Sequence, residues 1–255
     1  MNGTARFVCV CLTAALLLGA ADAARADEKG EEIFKTMDRA LTSADDQWFE
    51  YDFIIQKPGE ADRTLVFQVT IKGTRLRRLH FLSPGDVKGM RFLVLSVTQM
   101  YVYLPAYRKV RRVASHVRDQ GFMGSAHSQD DMSITVYGEF LAGRFLSEDD
   151  QTYTVEGTLR EGKQFPYPRM VLTIDKKMYQ PVKLLYYDDK GKHIKTETRT
   201  DWECIEDGKI CNPAIMKLVD HRRNDVTTIL KRRKWKANQN VPDKFFTVRS
   251  LQRRR

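Results

Sequence analysis

The chain has 255 residues, of which 42% are hydrophobic and 30% are charged, and its formal net charge is +10 at pH 7. This length suffices for one large domain or two small ones with a sizeable core, so neither a metal nor a dense disulfide framework is required for stability. Beyond the first 26 residues no apolar run approaches the roughly 20 residues of a membrane-spanning helix, which excludes an integral helical membrane protein.

The N-terminal residues 1–26 have the organisation of a secretory signal peptide. Arg6 precedes an apolar run from Phe7 to Ala21, and both Ala21-Asp22-Ala23 and Ala24-Arg25-Ala26 fit an A-x-A cleavage site. The run is too short for a membrane anchor. We therefore predict export beyond the inner membrane and one mature domain over residues 27–255. In an exported protein the positive charge favours lipid head groups or an acidic protein surface over nucleic acid.

The mature chain is predicted to begin with a helix and to continue as β-structure. Ile33, Phe34, Met37 and Leu41 form one apolar stripe at helical spacing, which predicts an amphipathic helix over residues 31–41. Alternating apolar residues between turn signals are typical of an antiparallel meander. They predict strands at residues 49–57, 63–72, 75–82, 90–97, 99–104, 152–159, 169–175, 182–188, 193–204, 209–219 and 226–237.

Two of the four cysteines, Cys204 and Cys211, remain after signal cleavage. Asp207-Gly208 between them is a strong signal for a two-residue hairpin turn. A turn centred there places the two cysteines directly opposite each other, at a separation compatible with a disulfide. We predict that this bond forms in an oxidising compartment. Because the spacing lacks a CxxC pattern or an adjacent histidine, a redox or metal role is not indicated.

The segment 101–132 combines the features that bear most on function. An aromatic strand containing Tyr101 and Tyr103 breaks at Pro105 and is followed by a dense group of cations. This group, which includes Arg108, Lys109, Arg111 and Arg112, is either a solvated continuation of the strand or a docking patch for an acidic partner or phospholipid head groups. In the docking interpretation, residues 105–118 leave the sheet as a basic arm.

The loop that follows carries two large apolar residues between glycines, Phe122 and Met123. It is either a buried plug or a lid that contacts an apolar ligand, and methionine suits adaptable contact with varied acyl chains. A second helix is predicted over residues 130–141, with Asp130 and Asp131 favourable at its N-terminus.

About ten antiparallel strands in one sheet must curl or close, and helices over the concave face would leave a cavity. The expected fold is therefore mainly β, a half-open antiparallel β-barrel with helices covering its concave face. The residues predicted to line the cavity or its lid are Leu65, Phe67, Val69, Ile71, Phe81, Leu93, Leu95, Tyr101, Tyr103, Phe122 and Met123. The aromatic members also have the simpler interpretation of sheet core.

The sequence contains no GxSxG, HExxH or P-loop pattern. His127 is the best catalytic candidate because Ser125, Ser128 and Asp131 lie near it. Residues this close in sequence rarely reach triad geometry, and nothing marks an oxyanion hole. We predict a protein that is not an enzyme and needs no cofactor or metal.

The sequence YLPAYRKVRR from Tyr103 to Arg112 resembles the LolA-like superfamily of outer-membrane lipoprotein-sorting proteins. Further matches are FMGS at 122–125, Asp131-Met132 and PDKFFTV at 242–248. The resemblance implies a half-open β-barrel covered by helices, whose apolar cavity receives acyl chains. It also implies a periplasmic location in a Gram-negative type envelope.

Proteins of this kind carry lipoproteins or lipids between envelope membranes, and this branch is often associated with inner-membrane transporters of the resistance-nodulation-division type. The resemblance thus implies a monomeric carrier with a transporter or outer-membrane acceptor as partner. Two alternatives remain open. One is a periplasmic sensor that binds lipid or lipoprotein and regulates a membrane protein, and the other is an accessory subunit docked on an envelope complex.

Overall fold

The computed structural model describes residues 26–96, 98–114, 121–134 and 136–252. The predicted signal peptide lies outside the described residues apart from Ala26. The first element is helix α1, Glu28–Leu41, whose Asp27 side chain caps the N-terminus by accepting a hydrogen bond from the Gly30 amide. Ile33, Phe34 and Met37 are buried, so the predicted amphipathic helix is confirmed.

The described residues form thirteen strands in a single antiparallel sheet. The strands are β1 (Asp46–Gln56), β2 (Arg63–Lys72), β3 (Leu76–Ser83), β4 (Arg91–Ser96), β5 (Gln99–Leu104), β6 (Lys109–Arg112), β7 (Leu141–Glu148), β8 (Thr152–Leu159), β9 (Arg169–Asp175), β10 (Pro181–Tyr187), β11 (His193–Ile205), β12 (Ile210–Asp220) and β13 (Val226–Ala237). In the described part of the chain, no helix is both long and apolar enough to cross a membrane.

The sheet consists of two meanders joined in its middle. Strands β1 to β6 pair in sequence order, strands β7 to β13 do the same, and β1 pairs with β13. Strands β6 and β7 are therefore the two outer edges, and among the described residues they do not pair with each other. The chain between them must cross from one edge of the sheet to the other, and this crossing produces the central feature of the molecule.

The predicted mainly-β fold is confirmed, with three corrections. The sheet has thirteen described strands rather than about ten, because β6 and β7 were not predicted as strands. The helix predicted over 130–141 is wrong: only Asp131–Ser133 makes a 3-10 turn, and Leu141 already begins β7. Consequently, α1 is the one α-helix among the described residues, and a cover of several helices is not seen.

The third correction concerns the basic segment. Residues 109–112 do not leave the sheet as an arm, because a turn after Pro105 returns the chain as β6. Val110 pairs with Tyr103 and Lys109 with Leu104. The pairing completes the edge of the sheet, which favours the simpler interpretation that these residues continue the strand structure.

The predicted cysteine hairpin is confirmed. Cys204 pairs directly with Cys211 across β11 and β12, and the two are joined by a disulfide with a Cα–Cα distance of 4.1 Å. The bond closes a short loop, so it strengthens one hairpin rather than the whole fold.

The two faces of the sheet carry different cores. The inner face, which carries α1, holds two hydrophobic clusters, one around Phe34 and Leu172 and the other around Phe53 and Phe67. The outer face holds a smaller cluster, in which Leu93 packs with the C-terminal residues. The segment that covers the inner face forms the candidate site.

Candidate functional site

Residues 121–134, here called the plug, lie across the inner face between the two halves of the sheet. Phe122 is 3% exposed. Its ring centroid lies 5.0 Å from that of Phe92, 6.0 Å from Phe81 and 6.3 Å from Phe53. The loop is therefore packed as a plug in this structure, because its aromatic side chain fills the space between strands.

Polar contacts to strands from both meanders hold the plug backbone. The Ala126 amide donates to Thr228 Oγ1 of β13 at 2.8 Å, and Arg223 donates to the carbonyl oxygens of Gly124 and Ser125. At the other end, the buried Arg77 of β3 donates to the carbonyl oxygens of Met132 and Ile134. Burial lowers the pKa of Arg77 to about 10, so the guanidinium remains charged at neutral pH.

A buried ion pair fixes the centre of the plug. Lys195 Nζ of β11 lies 2.6 Å from Asp131 Oδ2 and 2.8 Å from the Tyr167 hydroxyl, which itself donates to Asp131 Oδ1. The Lys195 side chain is 1% exposed. Burial disfavours the charged form of Asp131, but the nearby ammonium of Lys195 holds the pKa of this carboxyl below its usual range.

Two small cavities adjoin beneath the plug, each of about 180 Å³. They share a wall of six apolar or aromatic residues and two arginines, and one of them extends between the end of α1 and the disulfide hairpin. The residues common to both cavities are Phe49, Tyr51, Ile71, Arg77, Ile134, Tyr137, Arg199 and Met216. This arrangement gives an apolar surface of the kind that receives a hydrocarbon chain.

A polar network forms one side of these cavities. Arg199 Nε lies 2.7 Å from Glu197 Oε1, and the Tyr186 hydroxyl donates to Glu197 Oε2 at 2.5 Å. Burial opposes the charge on Arg199, but Glu197 raises the pKa of the guanidinium above its ordinary value. The site therefore combines apolar walls with a fixed charged pair, which could orient a polar group next to an apolar chain.

The Ser/His/Asp set does not form a catalytic pair in this structure. The Ser125 hydroxyl bonds the His127 backbone rather than its imidazole, and Asp131 is engaged by Lys195 and Tyr167. Burial lowers the pKa of His127, whose ring packs 5.7 Å from that of Phe53. Among the residues that the structure describes, no three His, Cys, Asp or Glu side chains are grouped to hold a metal ion.

A protein-family model whose description reads "Uncharacterized protein" matches residues 73–253. The chain belongs to this family. No protein with curated annotation matches the sequence significantly.

Solved structures establish the fold. An outer membrane lipoprotein-sorting protein domain from Vibrio parahaemolyticus is 24% identical, with a TM-score of 0.77 over 89% of this chain and 99% of that chain. A DUF1329 family protein from Desulfovibrio piger is 23% identical, with a TM-score of 0.80 and the same coverage. A LolA superfamily protein from Nitrosomonas europaea is 19% identical, with a TM-score of 0.71 over 87% of this chain and 98% of that chain. The chain has the LolA-like fold that its sequence motifs resemble.

The LolA-like sheet separates the predicted lining residues into two groups. Seven of them belong to the inner-face cluster beneath the plug: Leu65, Phe67, Val69, Ile71, Phe81, Phe122 and Met123. The other four, Leu93, Leu95, Tyr101 and Tyr103, pack instead with Phe246 and Leu251 on the outer face. The reason is strand alternation: Leu79 and Phe92 pair on the inner face, so their neighbours Arg78 and Leu93 point the other way.

Sequence reasoning missed several inner-face residues. Phe92 and Met216 pack against the plug-side cluster, while Glu197 and Arg199 line the cavity. Phe92 was missed because the alternation of β4 alone is compatible with either face of the sheet. Glu197 and Arg199 were missed because charged residues on a strand usually predict solvent exposure. Only the buried Tyr186 partner and the plug explain why Glu197 points inward.

The four predicted docking residues lie at the free edge of the sheet. Arg108 is in the turn before β6, and Lys109, Arg111 and Arg112 are on β6 itself; all four are exposed. Their role in docking stays a prediction.

Strong acid is expected to release the plug before the rest of the sheet unfolds. The pKa values of Asp131 and Glu197 are held below their ordinary values of 3.8 and 4.5, so their stabilisation is lost as pH falls through those lowered values. Burial also lowers the pKa of His127 below 6.5, so unfolding takes up a proton below that pH. Hydrogen exchange of peptides spanning 121–134, measured from pH 7 downwards, tests this.

The Asp38 carboxyl changes the stability of the fold in the opposite direction as pH falls, and it serves as an internal control. Burial raises its pKa from 3.8 to about 6, so its contribution to stability grows as pH falls between those values. We therefore expect the hydrogen-exchange protection of the plug to change little near pH 5 and to fall clearly below about pH 4. Equal loss in the plug and in β2 at every pH would contradict selective release.

Proposed function

We propose that the protein is a non-enzymatic periplasmic carrier that binds acyl chains of a lipoprotein or lipid on the inner face of its sheet. In this role it would move its cargo between envelope membranes. The observation that carries the proposal is the apolar inner face with two adjoining cavities under a plug held by polar contacts. The LolA-like fold supports the proposal, and so does the disulfide, because such bonds persist in oxidising compartments.

The energetics favour carriage with release. Each buried methylene contributes about 0.8 kcal/mol, so one acyl chain could supply ~10 kcal/mol before the entropic costs of binding. Each cavity, at about 180 Å³, is smaller than the roughly 300–1,000 Å³ of a ligand pocket. A bound chain would therefore have to displace the plug, whose Met132 and Ile134 line the cavities, and return of the plug would favour release.

The free edge at β6 is the best candidate for a partner surface. Among the described residues this strand pairs on one side only, with β5. Four exposed cations lie on it or in the turn before it, namely Arg108, Lys109, Arg111 and Arg112. Such an edge suits an acidic protein surface or anionic head groups. This observation supports docking on a resistance-nodulation-division type transporter or an outer-membrane acceptor, and it equally supports the second candidate, a sensor or accessory subunit that binds lipid and docks on a membrane protein.

Filling the shared cavity wall is expected to abolish acyl binding. Met216→Trp should weaken binding of a fluorescent fatty-acid probe at least about tenfold, because the indole would occupy the space that both cavities share. Probe titration of the mature protein measures this change. Mass spectrometry of gently extracted protein should also find less copurifying lipid with the variant than with the wild type.

The neighbouring residue provides a matched control. Ile215 precedes Met216 on β12, is also partly buried, and faces the outer side of the sheet. Ile215→Trp should leave probe affinity within about twofold of wild type. If the wild type binds no probe, or if both variants bind as the wild type does, the carrier proposal is wrong.

A further inference from the structure

A larger pocket lies on the opposite side of the sheet from the acyl cavities. It has a volume of about 620 Å³ and lies between the outer face of the sheet and the segment 238–246. Strands β1, β2, β3, β4 and β13 form its floor, and the C-terminal segment forms one wall. This volume is within the range of roughly 300–1,000 Å³ that is typical of small-molecule sites.

The C-terminal wall of the pocket is fixed in place. The buried Asp46 carboxylate accepts hydrogen bonds from the amides of Gln239 and Val241, both at 2.9 Å. Lys72 Nζ donates to the Val241 carbonyl oxygen at 2.8 Å. Further along, Phe246 and Leu251 are buried against the outer face. The pocket is therefore bounded by ordered structure rather than by a loosely placed tail.

The lining of this outer pocket has one sign of charge. Arg78, Arg91 and Lys236 line it together with His80, and no aspartate or glutamate is among the described lining residues. Two carboxylates on the same face of β1 border the pocket without lining it. That of Asp46 is bonded to the amides of Gln239 and Val241, and that of Glu50 accepts a hydrogen bond from Gln68 at 2.9 Å. Desolvation and the two arginines lower the pKa of His80, as expected in a positive environment.

Two arginines of this pocket also bind the chain that follows its C-terminal wall, whereas the lysine is exposed. Arg78 donates to the Ser250 carbonyl oxygen at 3.1 Å and Arg91 to that of Leu251 at 2.6 Å. Lys236 is exposed, and its Nζ lies 5.9 Å from the centre of the Trp48 ring. None of these hydrogen bonds involves Lys236, so this residue can be changed without removing an anchor of the wall.

Apolar groups complete the pocket. Trp48, Val241, Pro242 and Phe245 line it beside the cations. We propose that the outer pocket is a second binding site, for an organic anion in which a carboxylate or phosphate adjoins an apolar or aromatic body. Charge complementarity supplies the recognition of the anionic end, and the indole and phenyl rings receive the apolar end. The sheet separates this site from the acyl cavities, so the inference does not depend on the proposed function.

Phenyl phosphate is the probe for this site, because it carries the anion and an aromatic ring but no acyl chain. Titration of the mature protein should give saturable quenching of tryptophan fluorescence that is lost in Trp48→Phe. Lys236→Glu should weaken binding at least about tenfold, since it replaces an attractive charge with a repulsive one. The matched control is Lys234→Glu, two residues away on the same face but outside the pocket; it should change affinity less than about threefold.

Three further outcomes complete the experiment. Phenol, which lacks the charge, should bind much more weakly than phenyl phosphate. Vesicles of phosphatidylglycerol, compared with vesicles of phosphatidylcholine, distinguish a lipid head group from a free anion. Vesicle binding that Lys236→Glu abolishes identifies a lipid phosphate as the ligand. Binding of phenyl phosphate without vesicle binding identifies a free anion. The proposal is overturned if no saturable change occurs up to millimolar probe, if phenol binds equally well, or if both lysine variants weaken binding equally. Fatty-acid probe binding by Lys236→Glu reports separately on the acyl cavities.

Discussion

Lys195→Met is expected to destabilise the protein by about 3–5 kcal/mol, because removal of one partner leaves the other charge buried and uncompensated. Asp131 would lose the ammonium 2.6 Å from its Oδ2, and Tyr167 would lose its contact at 2.8 Å. The plug should then detach from β11 at neutral pH. The free energy of unfolding from denaturant titration measures the first effect, and hydrogen exchange of residues 121–134 measures the second.

Two controls distinguish a lost ion pair from a general lysine effect. The double variant Lys195→Met with Asp131→Leu removes both charges and should recover much of the lost stability. Lys217→Met, at an exposed position of the adjacent strand β12, should change stability by less than about 0.5 kcal/mol. A cost below about 1 kcal/mol for Lys195→Met would show that the ion pair does not hold the plug.

Phe122→Ala is expected to lower stability and raise acyl affinity at once. Removal of a buried phenylalanine side chain costs about 3–5 kcal/mol through lost burial and the cavity left behind. Here that space would open between Phe53, Phe81 and Phe92, in the same inner-face cluster as Phe67, which lines one of the proposed cavities. We expect the fluorescent fatty-acid probe to bind several-fold more tightly, since less plug packing must be displaced. Denaturant titration and probe titration measure the two effects.

Phe246→Ala is the matched control for this prediction. Phe246 is 4% exposed, comparable with 3% for Phe122, but it packs on the outer face with Leu93 and Leu251. It should show a similar loss of stability with unchanged affinity for the probe. If both variants bind the probe more tightly, general loosening explains the effect, and if neither does, Phe122 is a core residue that does not compete with the cargo.

Local patterns predicted most of the secondary structure. The apolar stripe of α1 and the alternation in β2 are signals that a few neighbouring residues carry, so they do not depend on the rest of the chain. The Asp207-Gly208 turn is equally local, and it placed Cys204 opposite Cys211 without reference to any other strand. The motif from Tyr103 to Arg112 identified the fold class.

The errors occurred where a distant contact overrides the local pattern. Gly143, within β7, packs so closely against α1 that a Cβ atom there would lie 2.7 Å from the Gly30 carbonyl oxygen. This glycine, just beyond the wrongly predicted helix 130–141, is thus required by the contact between α1 and β7. The edge strand β6 was obscured by its cations, which are common on edges because they oppose aggregation.

The sequence by itself determined the β-rich class, the first helix, the disulfide hairpin and the likeness to the LolA-like fold, since each depends on short-range periodicity or a contiguous motif. Only the tertiary structure decided which face each strand residue occupies, because a period of two is satisfied by either face until register and partners are known. The same holds for the plug. It forms where the chain between β6 and β7, which are opposite edges of the sheet, crosses the inner face. Arg77, Arg223 and Thr228 satisfy its backbone polar groups there.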